Sequence, residues 1–355
     1  MVAGIDAILS SRRVGAIGLC LCALGPSIGC LAIPDGGQIP DTGTGGDGIL
    51  DSGGVPSLGT ITAASRVCEA DGLAGADCYV ATVSCTGVPD AGVAIKHLSG
   101  TGDTIGTIIL TAGGGGQKYY EDSTFYTFGP NLVEDLRDAG FATVQVRWED
   151  GWNLGPGGWE RVGCRYATVA QWVYDELHRG GGSAPFCATG NSGGASQIAY
   201  AMTRYGLDEL FDIVVPSGGP PAGRIDLGCA CSPSQATVEV PCGNDSLCYD
   251  DLAIGAMDSA YDGTPCADLE SEILAADSVV ADDADLHYPF TKVIAVFGDA
   301  DPTSAVPQGM QWYDAITSEV EIICVPETQH RVASAMAGYE TLRDVLITEC
   351  TRAPE

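Results

Sequence analysis

One stretch constrains this chain more than any other: Pro185-Phe186-Cys187-Ala188-Thr189-Gly190-Asn191-Ser192-Gly193-Gly194-Ala195. A short apolar run ends in Gly-x-Ser-x-Gly, and a helical pattern with Ile198, Ala199, Met202 and Tyr205 on one face follows at once. This reads as a strand, a sharp turn and a helix, with Ser192 at the tip of the turn in strained backbone. Strand and helix pass closely there only if the residues two before and two after the serine lack bulky side chains, a need that Gly190 and Gly194 meet. The amide of Gly193 would then point from the helix start at whatever Ser192 attacks. The pattern alone proves little, because Gly25-Pro26-Ser27-Ile28-Gly29 matches it too. The strand and helix around Ser192 are what give it weight.

The surrounding rhythm sets the fold class. Strands are expected at 61–68, 78–85, 91–98 and 106–111, then a helix at 131–139, a strand at 142–148 and a long helix at 161–178. A strand at 211–216 follows the Ser192 helix. After an interruption come a strand at 292–297, a helix at 309–317, a strand at 320–325 and a helix at 331–346. Alternation of this kind predicts an α/β fold with a mostly parallel sheet and helices on both faces. Sites in such sheets lie at the carboxyl ends of the strands, so the loops after Thr111, Trp148, Thr189 and Pro216 should share one side. From about 222 to 288 the periodicity breaks and the chain becomes acidic and cysteine-rich, as expected of a disulfide-stapled cap inserted over the strand ends.

A serine hydroxyl needs a base, and the base needs a carboxylate to fix its tautomer. The chain has 4 histidines. His97 lies near an early strand end, His178 at a helix C-terminus where capping explains it, and His287 in the cap region. His330 follows the last strand, at the active edge of the sheet, and is the candidate base. The acid is expected after the strand at 292–297, in Gly298-Asp299-Ala300-Asp301. Asp301 is the candidate and Asp299 a turn former. The run Gly113-Gly114-Gly115-Gly116 completes neither a dinucleotide fingerprint nor a phosphate loop. It does offer open amides at a strand end. No cofactor is called for. Trp148 and Trp152 are candidates for lining the substrate pocket, with Trp159, Glu149 and Asp150 beside them; simple packing and solvated charge is the other reading. Glu149 and Asp150 do not form a glycosidase pair, because adjacent residues on extended chain point to opposite sides.

The order Ser192, Asp301, His330 resembles the α/β-hydrolase family, over roughly residues 61–350. That resemblance implies a Ser-His-Asp acyl transfer and an oxyanion hole made by the amide of Gly193 and one of Gly114 or Gly115. Ala112 stands where lipase-type loops carry histidine, so the choice between the two glycines stays open. The resemblance also implies a cap at the interruption. The function expected is cleavage of a carboxylic ester, small or polymeric. The alternatives are a peptidase of the same fold and a catalytically inactive surface binding module.

Charge and cysteines place the chain in a compartment. With 16 basic and 47 acidic residues the net charge is -31, which would repel nucleic acid and anionic membrane surfaces. Residues 1–30 read as an export leader, with Arg12 and Arg13 ahead of an apolar run too short and Gly-rich for a comfortable span. Its end, Ser27-Ile28-Gly29-Cys30, resembles the lipidation box of bacterial lipoproteins. Cys30 would carry the lipid as the one link to a membrane; an ordinary cleaved signal is the alternative. Residues 31–58, rich in Gly, Asp and Pro, read as a disordered tether, and 59–355 as the hydrolase domain. Beyond the leader the even set of cysteines predicts up to six disulfides. Because five cysteines fall between Cys229 and Cys266, at least one of those must pair outside the cluster if all are oxidised. A zinc site at Cys229, Cys231, Cys242 and Cys248 has uncommon spacings, and no metal is expected.

Overall fold

The computed structural model describes residues 55–68, 72–178, 184–231 and 237–352. The leader, Cys30 and the tether up to Gly54 lie outside the described residues. The strands are β1 (Thr60–Arg66), β2 (Asp77–Ser84), β3 (Ala91–Leu98), β4 (Gly106–Thr111), β5 (Phe141–Trp148), β6 (Phe186–Asn191), β7 (Ile213–Ser217), β8 (Lys292–Gly298) and β9 (Val320–Val325). They form one sheet in the order β1-β2-β3-β5-β4-β6-β7-β8-β9. The first three are antiparallel to their neighbours, and β3 also meets β5 antiparallel. From β5 onward every pairing is parallel.

Parallel strands covered on both faces should be apolar throughout, and β4 and β6 are buried at every position. One face carries α2 (Gly158–Glu176), α3 (Gly193–Tyr205) and α7 (Ala305–Ala315), whose Val162, Val169, Ile198 and Trp312 share a core with Val144 and Ala188. The other carries α1 (Gly129–Asp138) and α8 (Met336–Cys350), whose Leu132, Leu136, Leu342 and Leu346 pack with Ile108 and Val215. Between β7 and β8 lies the disulfide-rich insertion, whose described residues form three short helices, α4 (Ile225–Cys229), α5 (Asp251–Asp258) and α6 (Ser271–Ala276).

Six disulfides use all twelve cysteines from Cys68 to Cys350. Cys68–Cys78 closes the loop between β1 and β2, Cys85–Cys164 ties β2 to α2, and Cys187–Cys350 ties β6 to α8. Within the insertion Cys229 pairs with Cys266 and Cys231 with Cys248, while Cys242 reaches out to Cys324 on β9. The cysteines weighed as zinc ligands are therefore all in disulfides. Among the described residues no helix is long and apolar enough to cross a membrane.

Three helices start three or more residues from where they are expected, two of them for a reason remote in sequence. α2 starts at Gly158 instead of 161, because the Asp277 carboxylate of the insertion accepts from the amides of Trp159 and Glu160 and so satisfies orphan donors of its first turn. α7 starts at Ala305 instead of 309, with Pro307 inside its first turn, where no amide donor is needed. The segment expected as a helix from 331 is first a 3-10 turn, Val332–Ser334, with α8 beginning only at Met336. The amide of Val332 is drawn instead to the Asn191 side chain.

Candidate active site

The turn after β6 has the conformation its glycines imply. Ser192 sits at φ 56°, ψ -115°, a left-handed backbone that costs a non-glycine residue of order 1–3 kcal/mol. Its amide donates to Ser217 O at 2.8 Å, fixing the turn against the end of β7. A Cβ at Gly190 would lie 2.3 Å from Thr111 Oγ1 and 2.6 Å from the Gly194 backbone; one at Gly194 would lie 2.6 Å from Thr111 O. Strand, helix and β4 thus meet where only glycine fits. Gly193 is equally constrained, since a Cβ there would lie 2.2 Å from Gly114 O. This contact brings the glycine loop against the start of α3.

His330 and Asp301 meet from two different loops. Nδ1 of His330 lies 2.9 Å from Oδ2 of Asp301, whose side chain is fully buried. The other carboxylate oxygen accepts from the amide and the hydroxyl of Thr303, both at 2.8 Å. A carboxylate so held keeps the proton on Nδ1 and leaves the Nε2 lone pair as the basic site. The insertion braces the same turn: the amide of Asn244 donates to Asp301 O at 3.0 Å. Asp299 is exposed. The remaining histidines are committed elsewhere: His97 lies 3.9 Å from the Asp77 carboxylate, and His178 and His287 bond the hydroxyls of Thr107 and Thr317.

Four glycines in a row present four amides, and their partners separate them. The amide of Gly113 is taken by the Tyr126 hydroxyl at 2.9 Å and that of Gly116 by Gly113 O at 3.1 Å. Among the described residues, no hydrogen bond engages the amides of Gly114 and Gly115. Both glycines line a cavity of about 420 Å³ together with Ser192, Gly193 and His330. A larger hollow of about 600 Å³, lined by Gln117, Tyr119 and Arg147, contains none of these residues.

Trp148 and Trp152 do not line that cavity; both are fully buried. They hold the glycine loop from behind. The Trp152 indole donates to Gly114 O at 3.1 Å and its backbone amide to Gly115 O at 3.0 Å; the Trp148 amide donates to Gly116 O at 2.9 Å. The Trp148 indole goes to Gln197 Oε1 at 2.9 Å. Trp159 does line the cavity. It comes from the first turn of α2, and the expected start of that helix would have left it outside.

Sequence reasoning passed over Asn191 and Thr303. Asn191 is 1% exposed, and its Oδ1 accepts from the Val332 amide at 3.0 Å. It is therefore a clamp between the serine turn and the histidine loop. Its position inside the Gly-x-Ser-x-Gly stretch was the available signal. Thr303 follows Asp301 by two residues, and its amide closes on the Asp301 carboxylate a side-chain/backbone turn of a kind common after aspartate.

No family model matches the chain, and no curated protein matches it in sequence. Solved structures do match in shape. Carboxyl esterase 2 from the mycorrhizal fungus Tuber melanosporum aligns with TM-score 0.52 at 15% identity, over 82% of this chain and 90% of that one. The hyperthermophilic esterase from the archaeon Pyrobaculum calidifontis aligns with TM-score 0.51 at 13% identity, over 77% and 84%. Acetyl xylan esterase 1 from a Thermoanaerobacterium species aligns with TM-score 0.50 at 15% identity, over 83% and 89%. Identity this low carries the architecture and nothing finer. With the parallel sheet, the serine turn after β6 and the insertion after β7, the chain has the α/β-hydrolase fold.

Proposed function

We propose that this chain is an exported serine hydrolase that cleaves a carboxylic ester by acyl transfer, with Ser192 as nucleophile, His330 as base and Asp301 as its orienting acid. The observation that carries the reading is the 2.9 Å contact between His330 Nδ1 and a fully buried Asp301 carboxylate, with His330 and Ser192 on one cavity. His330 Nε2 takes the hydroxyl proton as Ser192 Oγ bonds to the ester carbon. The oxyanion is held by the amide of Gly193 and one or both free amides of Gly114 and Gly115, each donor worth about 3 kcal/mol of barrier. Collapse breaks the carbon–oxygen bond, and His330 returns the proton to the leaving alcohol. Water, deprotonated by the same imidazole, then releases the acid. The ester bond is the simplest substrate for this set, and the three structural neighbours named above are esterases.

Export rests on the leader and on six disulfides, which persist in oxidising compartments. Lipidation of Cys30 would tether the domain to a bacterial envelope; radiolabelled palmitate incorporation, lost in Cys30→Ser, tests that part separately. For the chemistry, kcat/KM for p-nitrophenyl acetate should fall on the order of 10³-fold or more in Ser192→Ala and His330→Ala, and comparably in Asp301→Asn. Retention of wild-type turnover in Ser192→Ala would end the proposal.

A further inference from the structure

The cavity above Ser192 has a second wall that the mechanism does not use. It is formed by one face of α5: Leu252, Ala253, Ala256 and Met257, spaced so that 252 and 253 sit one turn before 256 and 257. Trp159 and Pro221 complete the lining on that side. The Trp159 indole donates to Met257 O at 2.9 Å, which fixes the ring against the helix. Among the described lining residues there is no lysine or arginine; the one acidic side chain is Asp250, the exposed N-cap of α5. A carboxylated acyl group would find no counter-charge there and would face a like one.

The wall is tied at both ends. Ahead of α5, Cys248 is bonded to Cys231, and the Tyr249 hydroxyl donates to Pro221 O at 2.6 Å. Behind it, Ser259 accepts from Asn153 Nδ2 at 2.7 Å, Ala260 O accepts from the Gly158 amide at 2.7 Å, and the Asp258 carboxylate accepts from the Cys266 amide at 2.7 Å. Cys266 is itself bonded to Cys229. A helix anchored in this way is a fixed surface, unlike the loosely held segments that serve as lids.

Resting on the proposed acyl-transfer reading, we infer that α5 and Trp159 form a preformed acyl pocket selecting uncharged, apolar acyl groups of limited size. The whole cavity is about 420 Å³, room for on the order of a dozen non-hydrogen atoms at roughly 30 Å³ each. Ala256 and Met257 are the specificity-determining positions: the first leaves space, the second bounds it.

The experiment compares kcat/KM for p-nitrophenyl acetate, hexanoate and decanoate, and for the p-nitrophenyl hemiester of adipic acid, in wild type, Ala256→Trp and Met257→Ala. Each variant is checked for a cooperative melt. In wild type, hexanoate should exceed the adipate hemiester by about tenfold or more. Ala256→Trp should lower the hexanoate-to-acetate ratio by about tenfold, and Met257→Ala should raise the decanoate-to-hexanoate ratio. Ratios unchanged in both variants would overturn the pocket, as would a rate jump when the substrate passes its solubility limit. If wild type hydrolyses none of the esters, the catalytic reading has failed, and calorimetry with 2-octanone then decides the pocket alone. Binding weakened by Ala256→Trp supports it, and no binding to wild type overturns it.

Discussion

Asn191 offers a sharp test of how the serine turn and the histidine loop are held in register. Its side chain is buried, and Oδ1 is the acceptor for the amide of Val332, itself fully buried two residues after His330. Asn191→Ala leaves that amide without a partner, which costs about 1–3 kcal/mol. If the loop relaxes to solvate the amide, His330 moves with it, and each 1.36 kcal/mol lost from the transition state is tenfold in rate. The expected result is a fall of about 10- to 100-fold in kcat/KM with a loss of about 1–3 kcal/mol in urea unfolding. Asn191→Asp separates positioning from packing. The carboxylate still accepts from Val332 and restores most of the rate. It also adds a negative charge near His330, since Asn191 Nδ2 and His330 O lie within 3.2 and 2.6 Å of one point above Gly218. That charge favours the imidazolium, so the acid limb of the pH–rate profile should move to higher pH. Steady-state kinetics from pH 5 to 9 on the three proteins reads both effects. An Asn191→Ala rate within twofold of wild type, or an Asn191→Asp profile that superimposes on it, would refute the clamp.

Other expectations follow from other parts of the molecule. Burial and the neighbouring Asp285 and Glu209 push the Asp208 carboxyl up to about 6, and burial raises Glu160 and Asp277 as well. The folded state then holds protons that the unfolded chain releases as pH rises from about 4 to 6, so stability falls through that window. Thermal melts should show a higher Tm at pH 5 than at pH 7.5, with Asp208→Asn removing about 1–2 kcal/mol of the difference after allowance for solvent screening; a Tm that rises from pH 5 to 7.5 would contradict this. Lys96 and Glu121 form a buried ion pair at 2.5 Å, with side chains 2% and 4% exposed. Lys96→Met leaves the buried carboxylate without its counter-charge, though still bonded by the Leu73 amide and Gln145, and should cost about 3 kcal/mol in urea unfolding, while the Lys96→Met, Glu121→Leu double variant recovers part of that loss. Trp152→Phe removes the donor to Gly114 O and should lower kcat by about tenfold through a looser glycine loop. An unchanged kcat would show that the backbone contacts suffice.

The sheet was legible because its signals are local. β3, β4 and β9 fall where the apolar runs predicted them, and the serine turn carries its own steric requirement in Gly190 and Gly194. The meeting of His330 with Asp301 was legible at one remove: each follows a strand, and parallel strands deliver their following loops to one edge. What the sequence hid depends on partners distant along the chain. Asp277 caps α2 from more than a hundred residues away, and Asn191 diverts the start of the last helical segment; the cysteine count required one of the clustered five to pair outside, but not that it is Cys242 or that its partner is Cys324. Trp148 and Trp152 misled for a related reason. An indole beside a strand end fits a pocket wall or a brace equally well: the N–H groups of Trp148, Trp152 and Trp159 all find protein acceptors, and the tertiary packing alone sets Trp159 on the cavity and the other two behind the glycine loop.

The most direct test of the central proposal is covalent labelling of the oxidised protein with a fluorophosphonate, followed by peptide mapping. An activated serine held by His330 and Asp301 should give one adduct, on the peptide carrying Ser192, absent from Ser192→Ala and strongly reduced in His330→Ala. A folded wild-type protein that takes no label at Ser192, or a His330→Ala variant labelled as fast as wild type, would contradict the assignment of these residues.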